Sequence, residues 1–384
     1  MGASGGGASS GSAGSGSAPS FDLPLSDAGA GIVSLVPAFS GGSATPTFAR
    51  ATTAYTRLAN GVWSLIASGS PRSMYSAAGV YLGYWPEGAR ANVLGGTDAI
   101  VRTMSDVGWV VGATLTVGTS TGVDGVADAC ALLTGGAVAA TNTILFTTVL
   151  ASAARTYSVR VRRVSGTGAV NITDNNGTNW TAMTLTATEQ LFQITRTQAN
   201  PVVGVQVEGN GDSVAVDFNT IEEASFANPT PIPVNVSKAA DVLSYASAGN
   251  IGNTTGTAYA EFTCPLGNIA GARILGLTTG SPMFLPAGTN LGLGDSTATR
   301  TFNAISLPVA SPSKVASAWG AAASMGAKDG VASAGAGFDD NIGIGTAIFI
   351  GAYSGAGFSL FGSVKNVRIW PSKFSSGQLG AITA

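Results

Sequence analysis

The chain has 384 residues and carries 18 Lys and Arg against 20 Asp and Glu, so its formal net charge is -2. A balance this even provides no basic surface for a nucleic-acid backbone, and the lack of histidine removes the usual general base and the commonest metal ligand. The 45% hydrophobic content is enough to fill the cores of two domains. No stretch approaches the ~18 consecutive apolar residues that a transmembrane helix requires.

The first 20 residues, MGASGGGASSGSAGSGSAPS, are nearly all Gly, Ser and Ala, which predicts a flexible arm that serves as a linker or an anchor. They contain neither a basic n-region nor an apolar h-region, so they do not form a signal peptide. We therefore expect the protein to stay inside the cell that makes it until lysis or assembly. Residues 21–86 follow as an extended, irregular segment with short apolar pieces at 31–36 and 61–67.

Strand patterns dominate the rest of the chain. YSVRVRRV (157–164) alternates Tyr157, Val159 and Val161 with polar residues, the period of a half-buried strand. Similar short runs recur as far as VKNVRIW (364–370), and turn-rich pieces such as VEGNGDS separate them. This spacing predicts an all-β protein made of antiparallel sandwiches.

The domain boundaries follow from the prolines. The Pro-rich passage 227–239 predicts a linker, because proline cannot sit inside a central strand. We expect one sandwich at 87–226 and a second at 240–384. Helical periodicity is scarce, and the best candidates are SKVASAWGAAASMGA (313–327), which contains two glycines, and a last turn at 375–383.

No catalytic constellation emerges from the remaining residue types. Cys130 and Cys264 lie in different predicted domains, which favours two buried thiols over a disulfide, and two cysteines cannot form a thiolate zinc site. A glycan hydrolase would need two facing carboxylates, but the neighbours Glu222 and Glu223 point to opposite faces of a strand. We therefore expect no enzyme and no cofactor.

A calcium site is one of two interpretations of a glycine-rich loop. Asp339, Asp340 and Asn341 in GFDDNIGIG could supply oxygen ligands for a weak calcium site, although an Asx-type turn explains the same residues. Asp124 and Asp128 carry the same ambiguity.

The aromatic residues offer one candidate binding site. Most of the Trp and Tyr residues are expected in the core, but Trp180 follows a polar loop in DNNGTNW. Aromatic faces suit sugar rings when polar groups stand beside them. We therefore predict a glycan-binding site at Trp180 together with the side chains of Asp174, Asn176 and Asn179.

Three tracts resemble a family of bacteriophage virion proteins. FARATTAYTRLANGVWSLIASGSPR (48–72) and GVYLGYWPEGARANVL (79–94) resemble a tract that precedes a carbohydrate-binding-module-like jelly roll, and their matching residues are Phe48, Arg50, Ala51, Thr52, Ala54, Gly61, Pro71, Arg72, Glu87, Arg90, Asn92 and Leu94. The tract at 212–245, with Lys238, Asp241 and Leu243, resembles the join between two sandwiches. GSVKNVRIWPSKFSSGQLGAIT (362–383) is similar to the end of a concanavalin A-like laminin-G sandwich.

The resemblance implies two antiparallel jelly-roll β-sandwiches preceded by a Gly/Ser-rich arm and an extended wrapping segment. It implies a non-enzymatic, fibre-type structural protein of the virion surface, made in the host bacterial cytoplasm, which adheres to host surface glycan. The alternatives are a capsid or tail decoration protein anchored by its arm and, remotely, a glycan depolymerase. The expected partners are other virion proteins, host glycan and further copies of the chain, with neither nucleic acid nor membrane.

Overall fold

The computed structural model describes residues 18–234, 237–265, 271–285, 290–294, 299–306, 311–320, 324–334, 342–343, 345–353 and 359–384. Most of the predicted arm at 1–20 lies outside the described residues. So does the whole of the predicted calcium loop, Asp339, Asp340 and Asn341.

The described chain is almost entirely β-structure, as the alternating patterns predict. The strands of its first part are β1 (Phe21–Leu23), β2 (Asp27–Gly29), β3 (Ile32–Val33), β4 (Phe39–Ser40), β5 (Thr47–Ala49), β6 (Ala54–Arg57), β7 (Trp63–Ile66), β8 (Ser73–Tyr75) and β9 (Tyr81–Tyr84). Helix α1 (Asp98–Val101) precedes a second group, β10 (Trp109–Val111), β11 (Thr116–Ser120), β12 (Cys130–Thr134), β13 (Thr143–Thr147), β14 (Ala153–Ser165), β15 (Val170–Thr173), β16 (Thr181–Ala182), β17 (Gln190–Gln198), β18 (Val202–Val207) and β19 (Ser213–Glu222).

The last part of the chain continues the same architecture. Its strands are β20 (Val242–Ala246), β21 (Gly256–Thr263), β22 (Arg273–Leu277), β23 (Ser281–Phe284), β24 (Asn290–Gly294), β25 (Thr299–Ser306), β26 (Ser313–Trp319), β27 (Met325–Lys328), β28 (Val331–Ala334), β29 (Ala347–Ile350) and β30 (Ser363–Trp370). A short 3-10 helix at Ala139–Thr141 and the final helix α2 (Ser376–Thr383) complete the elements. In the part of the chain that the structure describes, no helix is long and apolar enough to cross a membrane.

The chain divides into two compact units. The central unit contains Asp27–Val33 and Phe48–Asp241, and the C-terminal unit contains Ser34–Thr47, Val242–Ala384 and the chain up to Ser26. This division differs from the boundaries expected at 87 and 227–239. The segment at 48–86 and the Pro-rich passage both belong to the central unit.

Packing explains why the segment at 48–86 joins the central unit. Tyr55 and Trp63, on the paired strands β6 and β7, are buried in one apolar cluster with Phe218 of β19. The rings of Tyr55 and Phe218 meet edge to face, with their centroids 5.0 Å apart. A segment that buries its aromatics in this way is part of the unit's core.

Two five-stranded antiparallel sheets form the sandwich of the central unit. The first sheet has the order β10-β13-β18-β15-β16, and the second has the order β11-β12-β19-β14-β17. Their facing side chains form a large apolar core that includes Ile144, Tyr157, Val159 and Val205. The alternation predicted for residues 157–164 is confirmed, since Tyr157, Val159 and Val161 all enter that core.

The C-terminal unit also contains two sheets. One has the order β28-β27-β26-β21-β30-β1-β4, and the other includes β25-β24-β23-β22-β29-β20. Residues 34–47 are held to this unit by Asn250, whose Oδ1 accepts from Gly42 N at 3.0 Å. Gly42 permits this close approach, because an added Cβ would lie 1.9 Å from the carbonyl oxygen of Ala248.

The helix predicted for 313–327 is wrong. Its first half is strand β26, which pairs with β21 from Ser313 to Trp319, and its described second half includes strand β27. The Ala-rich sequence satisfies helix propensity, but burial in the sheet decides the outcome, as Val315, Ala316 and Trp319 are all fully buried. The predicted last turn is confirmed as α2, which a capping box between Ser375 and Gln378 starts.

Candidate functional site

The loop between β15 and β16, residues 174–180, forms a tight turn that we name the Trp180 hairpin. Asn176 and Gly177 at its centre both have positive φ, 60° and 70°. The N–H of Thr178 donates to the carbonyl of Asn175 across 3.2 Å. These features are typical of a type I′ turn, which favours Asn-Gly because both residues tolerate the left-handed region.

Two side chains pin this hairpin from within. The hydroxyl of Thr173 donates to the carbonyl of Asn179 at 2.9 Å and accepts from the N–H of Gly177 at 3.1 Å. The Oδ1 atom of Asn175 accepts from the N–H of Asn179 at 3.0 Å. Because Thr173 is fully buried, the loop is fixed by its own chain before any ligand arrives.

Three side chains of the hairpin are not used in this pinning. Asn176 and Asn179 are exposed, and their side-chain amides make no hydrogen bond within the described residues. Trp180 is half-buried, and its indole lies over Gly177, where an added Cβ would come within 3.0 Å of Cζ2. The structure therefore leaves the side chains of Trp180, Asn176 and Asn179, three of the four residues that the sequence analysis singled out, outside the hydrogen bonds that fix the loop.

Asp174, the fourth predicted residue, lies apart from them. It is 3% exposed, and Arg196 Nε lies 3.1 Å from Oδ1 and 3.2 Å from Oδ2 of its carboxylate. The carbonyl of Asp174 accepts from the side chain of Gln198 at 2.6 Å. Asp174 thus ties the base of the hairpin to β17, and its carboxylate is not open to an external ligand.

A polar patch on the same sheet was missed by the sequence analysis. Asn171 Nδ2 donates to Gln206 Oε1 at 3.0 Å and to Glu208 Oε1 at 2.7 Å. Strand register pairs Asn171 with Ala182, two residues after Trp180, so strand alternation places Trp180 on the same outward face. Two residues along a strand span about 7 Å. The signal was present in the alternation of polar residues with buried valines in VVGVQVEG.

In the register of the sheet, Glu208 lies two strands across from Trp180 and about four residues along, roughly 13 Å in the strand direction, so the two residues do not form one site. Glu208 is exposed, and its Oε2 atom makes no hydrogen bond within the described residues. Asn171, only 6% exposed, donates to this carboxylate, whereas Gln206 accepts from Asn171 and donates to the carbonyl of Ala139.

The second notable feature is a buried ion cluster of Arg50, Arg72, Glu87, Lys238 and Asp241. Asp241 receives Arg50 Nη1 at 2.8 Å and Arg72 Nη2 at 2.6 Å. Glu87 Oε2 lies 3.0 Å from Arg72 Nη2 and 3.2 Å from Lys238 Nζ. All five side chains have no exposed area, so the cluster is structural and cannot bind an external ligand.

Burial and the opposite charges within this cluster shift the pKa values of its members in opposing directions. Burial by itself would raise the pKa of Asp241, but the cations of Arg72, Lys238 and Arg50 outweigh it and hold that pKa below its usual range. Burial would likewise raise the pKa of Glu87, and Lys238 and Arg72 lower it. For Lys238 the balance is reversed, since burial lowers the pKa of its ammonium despite both carboxylates.

The other candidate residues fall into structural roles. Glu222 is buried while the side chain of Glu223 is 56% exposed beside Arg155, so the two carboxylates do not face each other. Asp124 is paired with Arg102 at 2.8 Å, and exposed Asp128 accepts from Thr119. Across the described ranges, no group of three or more Cys, Asp or Glu is placed to hold a metal ion.

Comparisons with known proteins give little further guidance. A scan against protein-family models found no match to the sequence. A search of the curated proteins also found none. Among solved structures, the chain is similar to the N-terminal CBM22-1-CBM22-2 tandem domain of Xyn10C from Paenibacillus barcinonensis, with a TM-score of 0.28 and 11% identity over 74% of this chain and 99% of that chain. A likeness this low assigns neither a ligand nor a function.

Proposed function

We propose that this chain is a non-enzymatic, fibre-type structural protein of a bacteriophage virion surface that adheres to host surface glycan through the Trp180 hairpin. The observation that supports the adhesion most strongly is the pinned geometry of that hairpin. Thr173 and Asn175 fix the loop, while the indole of Trp180 and the amides of Asn176 and Asn179 stay outside the pinning network.

A pinned loop favours binding for an energetic reason. A ligand does not have to order a loop that its own hydrogen bonds already hold, so less of the contact energy is lost on binding. The indole offers an apolar face to the C–H face of a sugar, and the amides offer donors and acceptors to its hydroxyls. The site requires neither a metal nor a general base.

The virion part of the proposal rests on the resemblance of the three tracts, and the structure adds one supporting observation. Arg50, Arg72 and Glu87 of the first tract meet Lys238 and Asp241 of the second in the buried ion cluster. Five of the matched residues thus form one buried cluster in the central unit, as expected if the first two tracts preserve a fold. The low share of charged residues, 10% of the chain, also suits a rigid component of a particle.

Replacing Trp180 with Ala tests the adhesive site. A buried aromatic anchor at an interface is commonly worth ~2 kcal/mol or more, so Trp180→Ala should weaken retention of the protein on a panel of bacterial surface polysaccharides by at least about tenfold. Phe39→Ala is the matched control, since Phe39 is a 51% exposed aromatic of the C-terminal unit. Equal retention of Trp180→Ala and the wild-type chain would reject this site.

A second function, decoration of a capsid or tail by an N-terminal anchor, is favoured by the position of β1. Strand β1 pairs with both β30 and β4, and the backbone N–H of Ser20 donates to Ile369 at 2.7 Å. Residues 1–17 directly precede this paired strand, so a partner that bound them would be connected through β1 to the sheet of the C-terminal unit.

Locating the protein on intact virions separates the two functions. Gold-labelled antibody against residues 240–384 should mark the tail tip or projecting fibres if the chain is an adhesin, and the head if it is a decoration protein. In the second case, deletion of residues 1–17 should abolish incorporation. Absence of the protein from purified virions would refute both virion roles.

A further inference from the structure

Strand β17 is the longest edge strand of the described sandwich in the central unit. It ends the sheet β11-β12-β19-β14-β17, and its nine residues pair with β14 without a bulge. The other three edge strands, β10, β11 and β16, have three, five and two residues. An edge strand exposes a row of unpaired backbone N–H and C=O groups, and short length is one way in which proteins protect such an edge. Strand β17 lacks this protection.

The sequence of β17, QLFQITRTQ, also lacks the other common protections of an edge. It contains neither proline nor lysine, both of which discourage pairing with a further strand. Its single charge is Arg196, and that charge is already paired, since Nε lies 3.1 Å from Oδ1 of Asp174. Within the described residues, no strand other than β14 pairs with β17. The outer side of β17 is therefore open to another extended strand.

The apolar side chains of this edge are only partly covered. Phe192 and Ile194 pack against the core of the sandwich but stay half-buried. Leu191, which alternation places on the opposite face, is also half-buried. A strand laid along β17 would remove this apolar surface from water and would also pair the open backbone groups.

The sequence of β17 is suited to pairing with itself. In an antiparallel pair centred on Ile194, the two Ile194 side chains meet, Phe192 faces the second copy's Arg196, and Leu191 faces the second copy's Thr197. The Arg196 side chain is 37% exposed, so its guanidinium is available to lie against the Phe192 ring. No like charges face each other, because the strand has only one charged residue. A two-fold pair of this kind uses the same surface on both copies, which is the commonest symmetry of soluble oligomers.

We propose that two copies of this chain associate through β17 and join two five-stranded sheets into one continuous antiparallel sheet. A second copy fits this edge because the chain's own sequence supplies both the central Ile194 contact and the Phe192–Arg196 contacts. The inference does not depend on the proposed glycan site. A dimer would carry two Trp180 hairpins, so a polymeric glycan could be held at both.

Size-exclusion chromatography with light scattering of the full chain provides the first test. The expected mass at micromolar concentration is twice the 37.9 kDa of the chain. Thr197→Lys places a charge at an exposed position of the edge, twice in each dimer, and should weaken association by about tenfold. The matched control is Thr116→Lys, at an exposed position of β11 on the opposite edge of the same sheet. A monomeric wild-type chain, or equal association of the two variants, would overturn the proposal.

Cysteine substitutions test the pairing itself. Chains with Leu191→Cys and chains with Thr197→Cys should form a disulfide-linked dimer when they are mixed under mild oxidation, because the two positions face each other across the axis. Neither variant should cross-link alone, since the two copies of residue 191 would lie roughly 20 Å apart along the strands. The native thiols of Cys130 and Cys264 are buried and should not compete. Absence of cross-linking in the mixture, or equal cross-linking of one variant alone, would refute the pairing centred on Ile194.

Discussion

Replacing Asp241 with Asn should destabilise the central unit severely. Asparagine has nearly the same shape as aspartate but lacks its negative charge. In the wild-type chain that charge pairs with Arg50, whose Nη1 lies 2.8 Å from Oδ1, and with Arg72, whose Nη2 lies 2.6 Å from Oδ2. The ionised cluster has three cations and two anions, so the substitution leaves Glu87 alone against three buried positive charges. Breaking a buried ion pair by removing one partner typically costs about 3–5 kcal/mol.

The size of the loss depends on Lys238. Burial already lowers the pKa of its ammonium, so Lys238 can release its proton when Asp241 is neutral, which favours the lower end of this range. For a unit of this size, a loss of 3–5 kcal/mol corresponds to a fall in Tm of roughly 6–20 °C. Urea unfolding followed by tryptophan fluorescence would measure it.

Two further variants test whether the loss of stability in Asp241→Asn comes from the buried ion cluster. Glu223→Gln neutralises an exposed carboxylate of the same unit and should cost less than about 1 kcal/mol. Adding Arg50→Met to Asp241→Asn removes one unpaired cation, so the double variant should be more stable than the sum of the single changes predicts. A loss below about 1 kcal/mol for Asp241→Asn, or strict additivity in the double variant, would refute this account of the cluster.

Three other predictions concern the central unit. Burial raises the pKa of Glu222 to about 7, above the usual value for a glutamate. Glu222 therefore loses its proton at a lower pH in the unfolded chain than in the folded chain. Stability should fall by at most about 3 kcal/mol as the pH rises from about 4.5 to 7. Glu222→Gln should remove that slope in urea titrations at pH 5 and pH 8, and an unchanged slope would contradict the assignment. Gly177→Ala should lower stability by about 1 kcal/mol or more and shift the tryptophan emission, because φ is 70° and the added Cβ would crowd Trp180. Burial raises the pKa of the Cys130 thiol to about 12, so this thiol should react with a disulfide reagent only after urea unfolds the unit, and fast reaction of the native protein would refute its burial.

Local patterns in the sequence predicted the strand content but not what covers the strands. The alternation in 157–164 identified the core face of β14 correctly, yet Arg160 on the opposite face is also buried. Its guanidinium lies 4.6 Å from the ring centroid of Trp63. Trp63 belongs to a segment whose sequence predicted only irregular, extended structure, and nothing in either stretch alone indicates that the two will meet.

The error at 313–327 has the same origin. Alanine-rich sequence favours a helix locally, but Trp319 lies over Gly256 of β21, where an added Cβ would come within 2.4 Å of its Cζ2. That pairing of a large side chain with a glycine about 60 residues away depends on the sheet. Tertiary packing therefore overrode propensity, and only a partner strand could have revealed it.

The candidate site shows the same contrast between local and distant information. The Trp180 hairpin is encoded within eight residues, so its Asn-Gly turn and exposed amides were predictable from the sequence. The inward orientation of Asp174 depends on Arg196, and the patch around Glu208 depends on the pairing of β15 with β18. Residues that act through a neighbouring strand cannot be assigned from one stretch of sequence.

The buried ion cluster changes what the opening tract can be taken to mean. Arg50, Arg72 and Glu87 are matched residues of that tract, and each is committed to an ion pair inside the central unit. A protein that shares these residues would be expected to share the closure of this unit, because unpaired buried charges are costly. It need not share a ligand, since none of the three reaches the surface. Binding specificity can therefore vary at the Trp180 hairpin while the tract is retained, and the virion and glycan parts of the proposal can be tested separately.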